Sequence, residues 1–226
     1  MQAIFEPIFD ICYLVFVIAI GILILKKSKG RKEFILFGAM AVILGCGDAF
    51  HLVPRTIALW TTGMQDYTTA LGIGKLVTSI TMTVFYVLLY YVWKTLYPKD
   101  NSKTLCWSVW ILAIIRIGLC LFPQNEWTSA VEPLSWGIYR NIPFAILGVL
   151  MIVLFFKTSG QDKNSPFHWM WLAITLSFAF YIPVVLFAQS FPPIGMLMIP
   201  KTCAYVWIVC MGWNALKQAD RKASTI

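Results

Sequence analysis

The segment GCGDAFHLVPR, residues 45–55, sets Asp48, His51 and Arg55 at i, i+3 and i+7 beside the apolar run FILFGAMAVIL. At that spacing the three side chains share one helical face. An aspartate and a histidine three residues apart form the smallest acid–base pair a helix can present, and with a water such a pair suffices to hydrolyse an ester- or ether-type lipid bond. Asp48 and His51 are therefore the candidate catalytic residues. Arg55, one turn further on, either contacts an anion or reaches for headgroups.

The chain carries other ionisable groups inside apolar sequence. Lys75, Arg116, Arg140 and Lys201 join Arg55 as cations placed in or at the mouth of apolar segments, and Glu6, Asp10, Asp48, Asp66, Glu126 and Glu132 are the carboxylates on the same side. Cations and carboxylates nearly balance there, as groups in a low-dielectric site must, because a lone charge is costly. Five cations at one depth suit a phosphate or carboxylate. Glu132 and Tyr205, the latter at i+4 from Lys201, complete the expected substrate-binding set. Glu6, Asp10 and Tyr13 share a face in the first segment, and Ser177 and Tyr181 stand in the sixth. The competing reading is a set of ion pairs that bridge helices and bind nothing, although burying ion pairs for stability alone is a weak strategy.

Metal chemistry has little to stand on. The chain has two histidines. His51 and His168 belong at opposite ends of their segments, roughly 25–30 Å apart by helical rise, whereas a catalytic zinc takes about three protein ligands. The sequence points to no metal and no cofactor. Ser79 and Ser177 are available hydroxyls, but no GxSxG-type motif marks either as a nucleophile.

These residues must be positioned by membrane-spanning helices. Of 226 residues, 59% are hydrophobic and only 12% charged, about half the charge of a soluble domain. Seven apolar segments stand out, at about 5–25, 34–54, 70–93, 105–122, 139–157, 168–189 and 195–215. Each is long enough to cross hydrocarbon as a helix and too continuously apolar for a barrel strand. The expected fold is all-α, a polytopic seven-helix transmembrane bundle forming one domain over residues 1–226. No internal repeat is visible.

Charge sets the expected orientation. Most of the lysines and arginines behind the net charge of +8 fall at 26–32, 94–103, 157–163 and 217–222. By the positive-inside rule those connections are cytoplasmic, which makes the chain N-out and C-in in the cell membrane. The first segment has Glu6 and Asp10 in its opening turns and KKSKGRK behind it, so it reads as a retained span rather than a cleaved leader. The opposite connections carry Trp60, Trp127 and Trp136, suited to an interfacial belt. No compact basic domain exists for nucleic acid, so the expected partners are membrane lipids and a small anionic ligand. Cys12, Cys46, Cys106, Cys120, Cys203 and Cys210 form no CxxC pair and read as small apolar core residues. Pro143, Pro183 and Pro200 lie in the last three spans, where proline bends helices.

GCGDAFHL followed by LGIGKLVTSITMTVFY resembles the Gly-Asp element and Gly-rich helix of the lysoplasmalogenase-like membrane family, over the second and third spans. The resemblance implies intramembrane hydrolysis of vinyl-ether lysophospholipids with Asp48 in the catalytic role. A histidine in the third span and an eighth helix, expected from that family, are absent here. Seven spans with Lys201 in the last also resemble the retinal-binding rhodopsins. That likeness implies a Schiff-base lysine with Asp48 or Glu132 as counter-ion, although VTSITMTVFY has no acidic residue. The function expected from the residues themselves is an extracytoplasmic polar pocket for an anionic lipid or small anionic amphiphile. A lipid hydrolase using Asp48 and His51, and a small-molecule transporter, are the alternatives.

Overall fold

A computed structural model describes residues 2–100 and 102–224, with the side chains of residues 2 and 3 left aside. It is all-α. The helices are α1 (Gln2–Lys27), α2 (Lys32–Trp60), α3 (Thr68–Leu96), α4 (Lys103–Leu121), α5 (Leu134–Lys157), α6 (Met170–Phe187) and α7 (Met198–Ser224). Among the described residues, seven helices are long and apolar enough to cross a membrane.

The helices extend past the segments read from hydropathy. α2 runs on through Pro54 to Trp60, α5 begins at Leu134, and α7 continues to Ser224. In α7 backbone hydrogen bonding continues into the polar sequence KQADRKAS, which hydropathy does not report, whereas α2 passes Pro54 and Arg55 into the apolar run IALW, so the proline and the charge mark no stop there. Local chemistry sets the stops. Gly63 closes the turn after α2 at φ +102°, a conformation that costs glycine little. Ser102 caps α4 by accepting from the Leu105 amide at 3.1 Å, which satisfies an otherwise orphaned donor. Pro200 sits in the first turn of α7, where no backbone N–H is required.

α3 is the central helix, with half of its apolar window buried, and α4 is the least buried. Phe85, Tyr86, Leu89, Tyr90 and Trp93 of α3 are all 1% exposed or less and form the spine of an aromatic core. Tyr86 meets Phe144 edge-on at 5.1 Å, and Phe85 meets Tyr205 the same way at 5.5 Å. α1, α2 and α3 pack closely through small residues. A Cβ on Gly45 would collide with Ile18, and one on Gly47 with Thr81, so both glycines permit the close approach their positions suggest.

The cysteines correct the sequence reading. Only Cys120 is buried, while Cys12, Cys46 and Cys203 are exposed on the bundle surface. Where helices are apolar on their outer faces as well, a surface position is as acceptable to a thiol as a core position, so hydropathy cannot separate the two.

The bundle has two distinct ends. At the basic end the α1–α2 turn is tied to the end of α7 by Arg31 on Asp220 at 2.9 Å, and Trp93 Nε1 donates to Thr158 Oγ1 at 3.1 Å. The opposite end holds the start of α1 and the α2–α3, α4–α5 and α6–α7 connections. Asp48, Arg55, Lys75, Arg116, Arg140 and Lys201 lie toward that end.

Candidate functional site

Asp48, His51 and Arg55 share one face of α2, yet each takes a different partner. The Tyr13 hydroxyl donates to Asp48 Oδ2 at 2.6 Å, from α1. His51 Nδ1 lies 3.2 Å from the Leu71 carbonyl of α3. Arg55 forms an ion pair with Glu6 at the start of α1. The face therefore works as a seam joining α2 to both neighbours. One turn from Tyr13 toward the N-terminus, Asp10 is 7% exposed and its Oδ2 has no hydrogen-bond partner.

A second group of charges is built around Glu132, in the connection before α5. Its carboxylate receives Lys75 Nζ of α3 at 2.9 Å and Arg140 of α5 at 2.8 Å. Gln189 donates to its backbone carbonyl at 2.6 Å. Arg140 also donates to Asn125 Oδ1 at 2.9 Å and lies 4.1 Å over the Trp127 ring. Asn125 is fully buried and its amide serves the Leu119 and Phe122 carbonyls. The strap of residues 122–133 is thus fixed to α3, α4, α5 and the end of α6 by named polar contacts.

The third group is buried and differently satisfied. Arg116 of α4 is 2% exposed. Its Nη1 donates to the Arg140 carbonyl at 3.1 Å and to Asn141 Oδ1 at 3.0 Å, its guanidinium carbon lies 3.7 Å over the Phe144 ring, and its Nε has no partner. Lys201 of α7 is 8% exposed. Its ammonium stands over the rings of Tyr181, at 4.9 Å, and Tyr205, at 5.5 Å. Among the described residues no carboxylate lies within ion-pairing distance of Arg116 or Lys201. Arg140 and Lys201 are the like charges in the surroundings of Arg116, and Asp48 is the carboxylate in the surroundings of Lys201, beyond contact. Tyr205 Oη is 3.4 Å from Tyr86 Oη, which is 3.5 Å from Ser177 Oγ. Tyr181 donates to Asn141 Oδ1 at 2.9 Å, so Asn141 joins Tyr181 to Arg116.

The expected residues thus fall into separate places. Asp48, His51 and Arg55 tie α2 to its neighbours. Lys75, Glu132 and Arg140 form one ion-pair node. Arg116, Lys201 and Tyr205 gather around the aromatic core between α3, α4, α5, α6 and α7. Sequence reasoning missed Asn125, Trp127 as a platform for Arg140, Asn141 and Phe144. Asn141 carried a signal, as an amide at the head of an apolar segment beside Arg140. Phe144 carried none, since one phenylalanine among apolar residues announces nothing. Among the described residues no three His, Cys, Asp or Glu side chains gather as a metal site requires.

Two cavities adjoin these elements. One of about 140 Å³ lies between α5 and α6 and includes Asn141, Phe144 and Tyr181 in its walls. The other, of about 410 Å³ at the basic end, is lined by Trp93, Tyr97, Asp100, Leu154, Lys157 and Thr158. Compared with protein-family models, with curated proteins and with solved structures, the chain finds no match.

Proposed function

We propose that the chain is a multi-pass protein of the cell membrane, N-out and C-in, that binds an anionic lipid or small anionic amphiphile at the buried cations Arg116 and Lys201. The orientation rests on the lysine- and arginine-rich connections of the basic end, which favour the cytoplasmic side.

The observation that carries the binding reading is Arg116. A guanidinium 2% exposed, with an unpartnered Nε and no carboxylate in ion-pairing contact among the described residues, is costly in a low-dielectric interior. A bound carboxylate or phosphate removes that cost and accepts from the free donor. In this reading Arg55, Lys75 and Arg140, each already paired with a carboxylate, hold the frame, and Tyr205 and Tyr181 support the Lys201 ammonium. The lipid-hydrolase alternative asks Asp48 and His51 to meet one substrate. It has less support, because Asp48 is held by Tyr13 and the His51 ring is turned to Leu71.

The test is titration of the purified protein in neutral detergent with oleate and with dodecyl phosphate, followed by tryptophan fluorescence. Binding weakened at least tenfold in Arg116→Gln supports the reading. Equal binding by wild type and Arg116→Gln overturns it.

A further inference from the structure

The cavity between α5 and α6 is almost wholly apolar. Ile138, Ile142, Ala145, Ile182, Val185 and Leu186 are among its walls, and Asn141 and Tyr181 are its polar members. Behind that polar pair stand the two buried cations. Arg116 donates to Asn141 and covers Phe144, another wall residue. Lys201 stands over the Tyr181 ring. The opposite edge is open, since Ile142 is 51% and Ile182 44% exposed. The mouth therefore faces sideways, onto the surface that meets lipid tails in a bilayer.

Its walls follow the helical period. The wall positions recur every three or four residues, at 138, 141, 142 and 145 on α5 and at 178, 181, 182, 185 and 186 on α6. That is one stripe from each helix, running about 12 Å along the seam at helical rise. Phe144 and Phe178, 5.1 Å apart, close its inner side. A Cβ on Gly148 would run into the Phe178 ring, so that glycine lets the ring sit where it does.

We infer that this notch is a tail subsite. A single-chain amphiphile with a compact anionic headgroup enters sideways from the bilayer, sets its headgroup by Asn141 and Tyr181 against Arg116 and Lys201, and lays the first part of its chain along the α5–α6 seam. The inference rests on the reading of Arg116 and Lys201 as an anion site. Charge complementarity selects the headgroup, and the one-stripe width selects one chain. A fatty carboxylate and a monoalkyl phosphate share the required chemistry.

The test is photolabelling of the full chain in nanodiscs. The probes are palmitate and hexadecyl phosphate, each with a diazirine in the part of the chain next to the headgroup, and a hexadecanol with the diazirine at the same place serves as neutral control. Labelled peptides covering 138–145 and 178–186 are expected from one or both anionic probes, and the more efficient one identifies the headgroup class. Ala145→Trp, which fills the notch, should lower that labelling at least tenfold. Ile182→Trp, at the exposed mouth, carries the same expectation should the first variant fold poorly. Wild-type labelling in these tryptophan variants, with loss in Arg116→Gln, would overturn the tail subsite and leave the anion site standing. Equal labelling by a two-chain phosphatidic acid probe would overturn the single-chain assignment. Labelling no stronger than by the neutral control would overturn both readings.

Discussion

The guanidinium of Arg116 lies 3.7 Å over the ring of Phe144, and the two residues come from adjacent helices, α4 and α5. The ring offers a face to a cation that has no carboxylate in contact, and a desolvated pair of this kind contributes about 2 kcal/mol. Phe144→Leu is expected to lower stability by at least that amount, because it keeps apolar bulk and removes both the π face under Arg116 and the ring contacts with Tyr86 and Phe178. Unfolding by mixed-micelle denaturant titration measures it. A loss below about 0.5 kcal/mol would show that the ring serves only as filler.

Two glycines make a paired prediction about packing. A Cβ on Gly72 of α3 would fall on the backbone carbonyl of Trp127, whereas one on Gly118 of α4 meets nothing within 4 Å. Gly72→Ala must displace the strap and is expected to cost about 1–3 kcal/mol. Gly118→Ala removes backbone freedom in open space and is expected to raise stability by up to about 1 kcal/mol. Melting temperatures of the two variants in one detergent check both signs.

Glu132 binds two cations that differ in exposure. The Lys75 side chain is 49% exposed and that of Arg140 is 11% exposed. Double-mutant cycles with Glu132→Gln are expected to give about 0.2–1 kcal/mol for Lys75 and about 1.5–3 kcal/mol for Arg140. Raising salt should erase the first coupling and leave most of the second. Equal, salt-sensitive couplings would mean that the strap stays open to water.

Orientation has a direct readout. With the basic end cytoplasmic, green fluorescent protein fused after Ser224 should fluoresce and alkaline phosphatase at the same place should be inactive. The reverse pattern would turn the site toward the cytoplasm.

The sequence carried the helices well and the site unevenly. Seven helices were legible because a span must be long and apolar, and their ends were not, because α7 continues as helix into polar residues and α2 continues past Pro54 and Arg55. The shared face of Asp48, His51 and Arg55 was legible from spacing. Their partners Tyr13, Leu71 and Glu6 depend on how α1 and α3 rotate against α2, which no local pattern encodes. Arg116 and Lys201 stood out as charges in apolar runs. The α5–α6 notch did not, since isoleucines that line a groove and isoleucines that meet lipid are the same residues in the sequence.

The most direct measurement is native mass spectrometry of the protein as purified in a gentle neutral detergent, run beside Arg116→Gln and Lys201→Gln. The wild type should carry a stoichiometric added mass, recovered by solvent extraction as an anionic amphiphile and lost from both variants. A bare wild-type protein that takes up no added oleate or dodecyl phosphate, with both variants merely less stable, would contradict it and leave Arg116 and Lys201 as parts of the scaffold.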